Sequence, residues 1–190
     1  VATDDIDVSG LFSFEDDGPS AQVNLADATI TVDESADGDD VTGALGQAKA
    51  VLVDSVGSAY GADDEGGTTE FSLSIASAGT DSGLDTTDGT SIYLYDNAGV
   101  IEGRVGGETG DVAFDFSMNS STGEVTLTQY LSLFHDDSPT NYDEAMQLAA
   151  GVISAVVTVT DGDGDVATDD IDVSGLFSFE DDGPSAQVNL

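Results

Sequence analysis

The sequence contains no cysteine, no tryptophan and only two basic side chains. Without cysteine there are no disulfides and no thiolate metal centres, although the redox compartment stays open on that ground alone. The two cations, Lys49 and Arg104, stand against 39 Asp and Glu residues, which gives a formal net charge of −37. Such a chain repels nucleic acid and anionic lipid, so neither is expected as a partner. No run approaches the roughly 20 apolar residues of a membrane-spanning helix, so no membrane insertion is expected. There is no phosphate loop, nucleophile elbow or zinc motif. The single histidine, His135, has no cysteine or second histidine near it in sequence, so no catalytic activity is expected.

What is present is patterned. Hydrophobic residues make up 39% of the chain and recur in runs, which acidic disordered segments lack. A folded domain is therefore expected, and its self-repulsion needs a counter-charge that the protein does not supply. Divalent cations can supply it. Carboxylates are hard oxygen donors, so Ca2+ is favoured over zinc or copper. An acid excess of this kind suits the extracellular space, where calcium is plentiful.

Residues 1–25 recur letter for letter as residues 166–190, an offset of 166 − 1 = 165 residues. A perfect copy points to recent tandem duplication and to an array of near-identical modules. On this reading residues 1–19 are the tail and linker of a preceding repeat. Residues 20–184 are one complete repeat, and 185–190 begin the next. A unit of 165 residues is long enough for its own core.

Alternating apolar residues mark strands at Ala28–Val32, Glu70–Ile75, Ser91–Tyr95 and Val112–Met118, with apolar-rich runs at Val125–Phe134, Val152–Thr160 and Ile171–Phe179. Asn97–Gly99 and Asn119–Gly123 read as hairpin connections. Residues 41–68, rich in glycine and aspartate, read as a long loop. Asn141-x-x-Glu144 resembles a capping box and precedes helix formers, so a short helix is expected over about 142–150. About seven short strands at this spacing predict an all-β, immunoglobulin-like β-sandwich stabilised by Ca2+.

The sharpest local signal is Asp161-Gly-Asp-Gly-Asp165 between two strands. Alternate carboxylates there can face one ion, and close aspartates repel one another without a cation. Asp172 falls twelfth from Asp161, but Val166 replaces the glycine at position six, so this is no EF-hand. The bland alternative is a solvated acidic turn. Glu15-Asp16-Asp17-Gly18-Pro19 and its copy Glu180-Asp181-Asp182-Gly183-Pro184 are a second candidate, with a polar linker as the alternative. Asp33-Glu34 is a third, with a capping or loop role as the alternative. In such a sandwich Asp161, Asp163 and Asp165 would lie at the pole where the chain arrives, beside Asp16 and Asp17. Asp33 and Glu34 would face Asp181 and Asp182 at the other pole. Asp63-Asp64-Glu65, Asp81 and Asp136-Asp137 could bind ions in loops but read better as solvated surface, Arg104 as the partner of a carboxylate and Lys49 as an exposed lysine.

Several segments in order, SAYGADDEGG (58–67), EFSLSI (70–75), DSGLDTTDG (81–89), IYLYDNAGVIEGRV (92–105), NYDEAMQLAAG (141–151), VTVTDGDGD (157–165) and FEDDGPSA (179–186), resemble the tandem repeats of giant RTX adhesins, which Gram-negative bacteria export by type I secretion. The likeness covers roughly residues 51–186. It implies an extracellular, cell-surface extender module, stiffened by Ca2+ and holding a distal adhesive domain away from the cell. It also implies ions at Asp161, Asp163, Asp165, Asp16, Asp17, Asp181 and Asp182, and folding triggered by calcium after export. The implied partners are neighbouring repeats. The rival function is a Ca2+-dependent carbohydrate-binding module, which the lack of tryptophan disfavours. Residues 1–15 and 166–180 compete for one strand position. The later copy is expected to win because its hairpin partner is adjacent in sequence, leaving the first copy free for strand exchange in an otherwise monomeric module.

Overall fold

The computed structural model describes residues 1–34, 43–136 and 144–181. Among these residues there are fourteen β-strands and two 3₁₀ turns, with no α-helix. In chain order the strands are β1 (Asn24–Leu25), β2 (Ile30–Asp33), β3 (Gly46–Val51), β4 (Val53–Asp54), β5 (Thr68–Ile75), β6 (Thr80–Asp85) and β7 (Ser91–Asn97). They continue as β8 (Val100–Val105), β9 (Val112–Met118), β10 (Glu124–Gln129), β11 (Ala145–Gln147), β12 (Ile153–Thr160), β13 (Val166–Asp172) and β14 (Phe177–Glu180).

Period-two patterning builds these elements. ISAVVTVT in β12 alternates buried and half-buried positions along its whole length. In β7, Ile92 and Leu94 point inward and Tyr93 and Tyr95 point out. The β7–β8 connection is a two-residue turn, Ala98-Gly99, with φ of 55° and 90°. Positive φ at both positions matches the right-handed twist of the flanking strands. In the β9–β10 turn, Asn119 Oδ1 accepts the N–H of Ser121 at 3.0 Å and of Thr122 at 3.2 Å. Both expected hairpins therefore form.

The strands make an all-β sandwich. A six-stranded antiparallel sheet runs in the order β3-β10-β9-β8-β7-β6. Against it pack two three-stranded sheets, β13-β12-β5 and β11-β14-β2. The β14–β2 pair is parallel, with Phe177 opposite Ile30 and Glu180 opposite Asp33. Phenylalanines join the layers. Phe116 of β9 lies 4.5 Å from Phe177, and Phe114 lies 5.0 Å from Phe179, between ring centroids. Tilted rings at these separations are favourable beyond the area they bury.

Three expectations are corrected. The strands are more numerous than about seven, because β3, β6 and β8 carry glycine, lysine or charged residues that interrupt alternation. Residues 41–68 are not one long loop, since β3 and β4 lie inside them. The helix near 142–150 is replaced, over its described part, by strand β11. Ala145, Met146 and Gln147 pair with Glu180, Phe179 and Ser178, so edge pairing with β14 overrides local helix propensity. Residues 142 and 143 lie outside the described set.

The duplicated segment provides an internal control. Residues 166–180 form β13, a 3₁₀ turn at Ser174–Leu176 and β14, and Phe177 and Phe179 are fully buried. Residues 1–15 have the same sequence yet form no strand. Phe12 and Phe14 are 68% and 96% exposed. The local 3₁₀ turn nevertheless recurs at Ser9–Leu11. Asp7 Oδ1 accepts the Ser9 N–H at 2.9 Å, just as Asp172 Oδ1 accepts that of Ser174 at 2.9 Å. Sequence thus sets the turn, and tertiary pairing sets the strands. Phe179→Ala should cost about 3–5 kcal/mol in thermal unfolding. The chemically identical Phe14→Ala should leave the melting temperature unchanged. Equal effects would show that the two copies share the slot.

Candidate metal centre

Strands β12 and β13 are joined by the turn Asp161–Asp165, which closes on itself. Asp161 N–H donates to Asp165 O at 3.0 Å, and Asp161 Oδ1 accepts the N–H groups of Gly164 at 3.0 Å and Asp165 at 2.8 Å. These bonds hold the Asp161 side chain inside the turn, where the residue is 3% exposed. Its other oxygen, Oδ2, is buried without a hydrogen-bond partner.

The incoming segment meets this turn. One carboxylate oxygen each from Asp16, Asp163 and Asp165 lies within 4.8 Å of the others, and all three residues are exposed. Oxygens that each sit 2.3–2.6 Å from one calcium ion can be at most about 5 Å apart, so the three fit a shared dication. The segment is placed by its backbone. Ser20 and Ala59 exchange N–H···O bonds of 2.8 and 2.9 Å, and a Cβ on Gly61 would collide with the carbonyl of Asp17. Asp17 itself has its N–H on Asp16 Oδ1 at 3.0 Å and lies outside the triad.

A third segment joins from the loop before β5. Gly162 N–H donates to the Asp63 carbonyl at 2.7 Å. A Cβ at Gly162 would strike the carbonyls of Glu65 and Asp63, so only glycine lets this loop dock. The loop and the acidic turn line an opening of about 380 Å³. Asp63 was expected at the solvated surface and is exposed there, and the neighbouring Asp16 carboxyl raises its titration. The acidic triplet 63–65 stood out locally, but its docking on the turn could not be read from sequence, because Asp63 is 100 residues from Asp163.

Like charge sets the electrostatics. Asp163 titrates above the usual carboxylate range because the Asp161 carboxyl shares a hydrogen bond with it and adds negative charge. Asp165 is raised by a hydrogen bond with Asp16 and then by the charges of Asp161 and Asp16. Asp63 is raised chiefly by its hydrogen bond with Asp16. Asp161 goes the other way. Burial pushes it up, but the Asp163 contact and the N–H groups of Asp165 and Gly164 outweigh that. Asp161 and Asp163 are thus placed to share one proton. With both ionised, Asp161 Oδ2 has no donor.

The other pole is organised differently. Glu34 Oε1 accepts Gln129 Nε2 at 2.8 Å and the Leu133 N–H at 2.7 Å, with His135 Nε2 at 3.8 Å. Glu34 therefore turns into the sheet, while Asp33 lies across from Glu180 at the end of the parallel pair. Asp181 lines an opening of about 320 Å³ with His135 and Phe134. Asp182 lies outside the described residues, as does Asp137. Asp81 is spent locally, accepting the Gly83 N–H at 2.9 Å. Neither cation serves the acidic turn. Arg104 pairs with Glu102 through Nε at 2.8 Å, and Lys49 lies 3.6 Å from Glu124.

A family model described as "Domain of unknown function (DUF5801)" matches residues 29–174. No curated protein and no solved structure matches the chain significantly.

The raised carboxyls fix the sign of a pH effect in metal-free protein. A carboxyl whose folded value lies above its ordinary 3.8 binds more protons folded than unfolded, so it costs stability at neutral pH. That cost vanishes as pH falls through the raised values toward 3.8. The opposite contribution of Asp161, whose value is depressed, is lost only below 3.8. In chelator, calorimetry should therefore show a melting temperature that rises from pH 7 toward pH 4. Asp163→Asn should raise the pH 7 value and flatten the rise. A melting temperature that falls steadily on acidification would contradict this.

Proposed function

This chain belongs to the DUF5801 family of domains of unknown function, and on that premise we propose that it is a structural extender module, one unit of a tandem array at the bacterial cell surface. Its work is reach and stiffness, in the manner of the RTX adhesin repeats it resembles. Calcium in the acidic turn is the proposed stiffener.

One observation carries the reading. The carboxylate that joins Asp163 and Asp165 comes from Asp16, in the duplicated incoming segment and not from the body of the module. In an array, Asp181 is the copy of Asp16. Glu180 immediately before it ends β14, opposite Asp33. The residue that ends the last strand of one module and the residue that meets the acidic turn of the next are then neighbours, a step of about 3.8 Å. An ion bound by that residue and the next turn would lock the angle between modules. Without it, five carboxylates at the joint repel one another and the angle is free.

The same layout supports export from a cell. A cysteine-free chain has no disulfide to form before or after passage, and the acidic poles delay folding until a dication is present. Extracellular calcium modules commonly bind with Kd of about 10⁻⁴–10⁻³ M, which would tie folding to the outside of the cell.

A two-repeat protein tests the reading by small-angle scattering. With calcium its maximum dimension should be long and sharply defined. In chelator the scattering should change to that of two modules with a variable angle. Identical profiles in both conditions, with each module folded, would rule out calcium as the source of stiffness.

A further inference from the structure

One aspartate of the repeat belongs to both poles of the module. We propose that the outgoing pole, around Phe134, is a docking surface for the next repeat of the same chain. It takes the face that residues 59–63 and the turn 161–165 form on that repeat. The inference rests on the array reading above and adds a direct protein contact to the joint.

Three observations carry it. The first is the shared residue. Asp181 lines an opening of about 320 Å³ together with Thr87, Leu133, Phe134 and His135. Its copy, Asp16, brings a carboxylate oxygen within 4.8 Å of those of Asp163 and Asp165. In an array these two aspartates are one residue. The opening of one module and the acidic turn of the next then lie on either side of it. The following position tightens the approach. A Cβ on Gly61 would collide with the carbonyl of Asp17, which is the copy of Asp182.

Second, the connection is short. Glu180 ends β14, and Ser20, the copy of Ser185, is bridged to Ala59. From 180 to 185 the chain takes 185 − 180 = 5 steps, a reach of at most about 18 Å when fully extended. Pro184 lies within it and fixes one φ.

Third, the outgoing pole presents an anchor. Phe134 is 46% exposed, whereas Phe71, Phe114, Phe116, Phe177 and Phe179 are buried. Its N–H donates to Asp85 O at 2.9 Å, and Leu133 and His135 on either side of it are buried, so its backbone is fixed at the rim of the opening. A lone exposed aromatic needs no partner. One that borders an opening where the next module must arrive is placed as an interface anchor. Docking is expected only with calcium present, because the same approach brings the carboxylates of the joint together.

Pulsed electron paramagnetic resonance on a two-repeat protein tests the surface. The chain has no cysteine, so Lys49→Cys in both repeats gives one spin label in each. In calcium the distance distribution should be narrow. Phe134→Ser in the first repeat should broaden it toward that seen in chelator. The same substitution in the second repeat, whose outgoing pole meets no further module, should leave it narrow. Should the serine variant not fold, Thr87→Tyr decides: this exposed position at the same opening should give the same one-sided broadening. A distribution that stays narrow in both first-repeat variants, or that broadens alike from either repeat, would overturn the docking surface and leave the calcium reading standing. A wild-type distribution equally broad with and without calcium would overturn both. One equally narrow in both conditions would overturn the calcium reading alone, and one-sided broadening at Phe134 would still support the docking surface.

Discussion

Repulsion between carboxylates is the constraint on which the rest of this molecule depends. With 39 acidic residues and two basic ones, no arrangement of the chain can pair its own charges. The fold handles this in two ways. Along the strands, acids stay outside the buried core, some exposed and some, such as Asp115 and Asp169, half-buried. Strand β13 carries Asp169, Asp170 and Asp172 outside the core, at a sheet edge. Charge at an edge also discourages pairing with other chains. At the incoming pole, by contrast, five aspartates from three segments are drawn together. Like charge concentrated there is what the proposed dication would offset.

Backbone geometry, more than side-chain attraction, brings those aspartates together. The turn closes on Asp161, the loop at 62–65 docks because position 162 has no Cβ, and the incoming segment bridges to Ala59. Apart from the Asp161 carboxylate, which accepts two backbone N–H groups, these contacts are backbone hydrogen bonds and steric fits. They bring the loop and the turn to the place where the Asp16 carboxyl arrives, which is what the proposed cation site requires.

Most of the fold was legible in the sequence. β9 matches its expected bounds residue for residue, and β5, β7 and β12 differ from theirs by one or two. In these segments alternation is clean because one face is buried and the other is wet. β3, with lysine at position 49, and β8, with glycine at 103, were illegible for the opposite reason. Their partners in the six-stranded sheet, and not their own pattern, make them strands. The helix expected near 142–150 failed on the same ground, since a short segment follows the edge it meets. At the site, local spacing made Asp161, Asp163 and Asp165 visible, and the repeat pointed to Asp16. Asp63 stood in a visible acidic triplet, but its docking beside the turn was out of reach because a loop contact across 100 residues leaves no periodic trace. The inward turn of Glu34 was likewise hidden, because its partners Gln129 and Leu133 lie about a hundred residues downstream.

Thermal unfolding followed by circular dichroism, in chelator and then with saturating Ca2+ or Mg2+, tests the central idea most directly. Dication neutralisation predicts a large, calcium-specific rise in melting temperature and a gain of β-structure over the chelated state. A chelated protein that melts as late, and is as ordered, as the calcium-loaded one would contradict it.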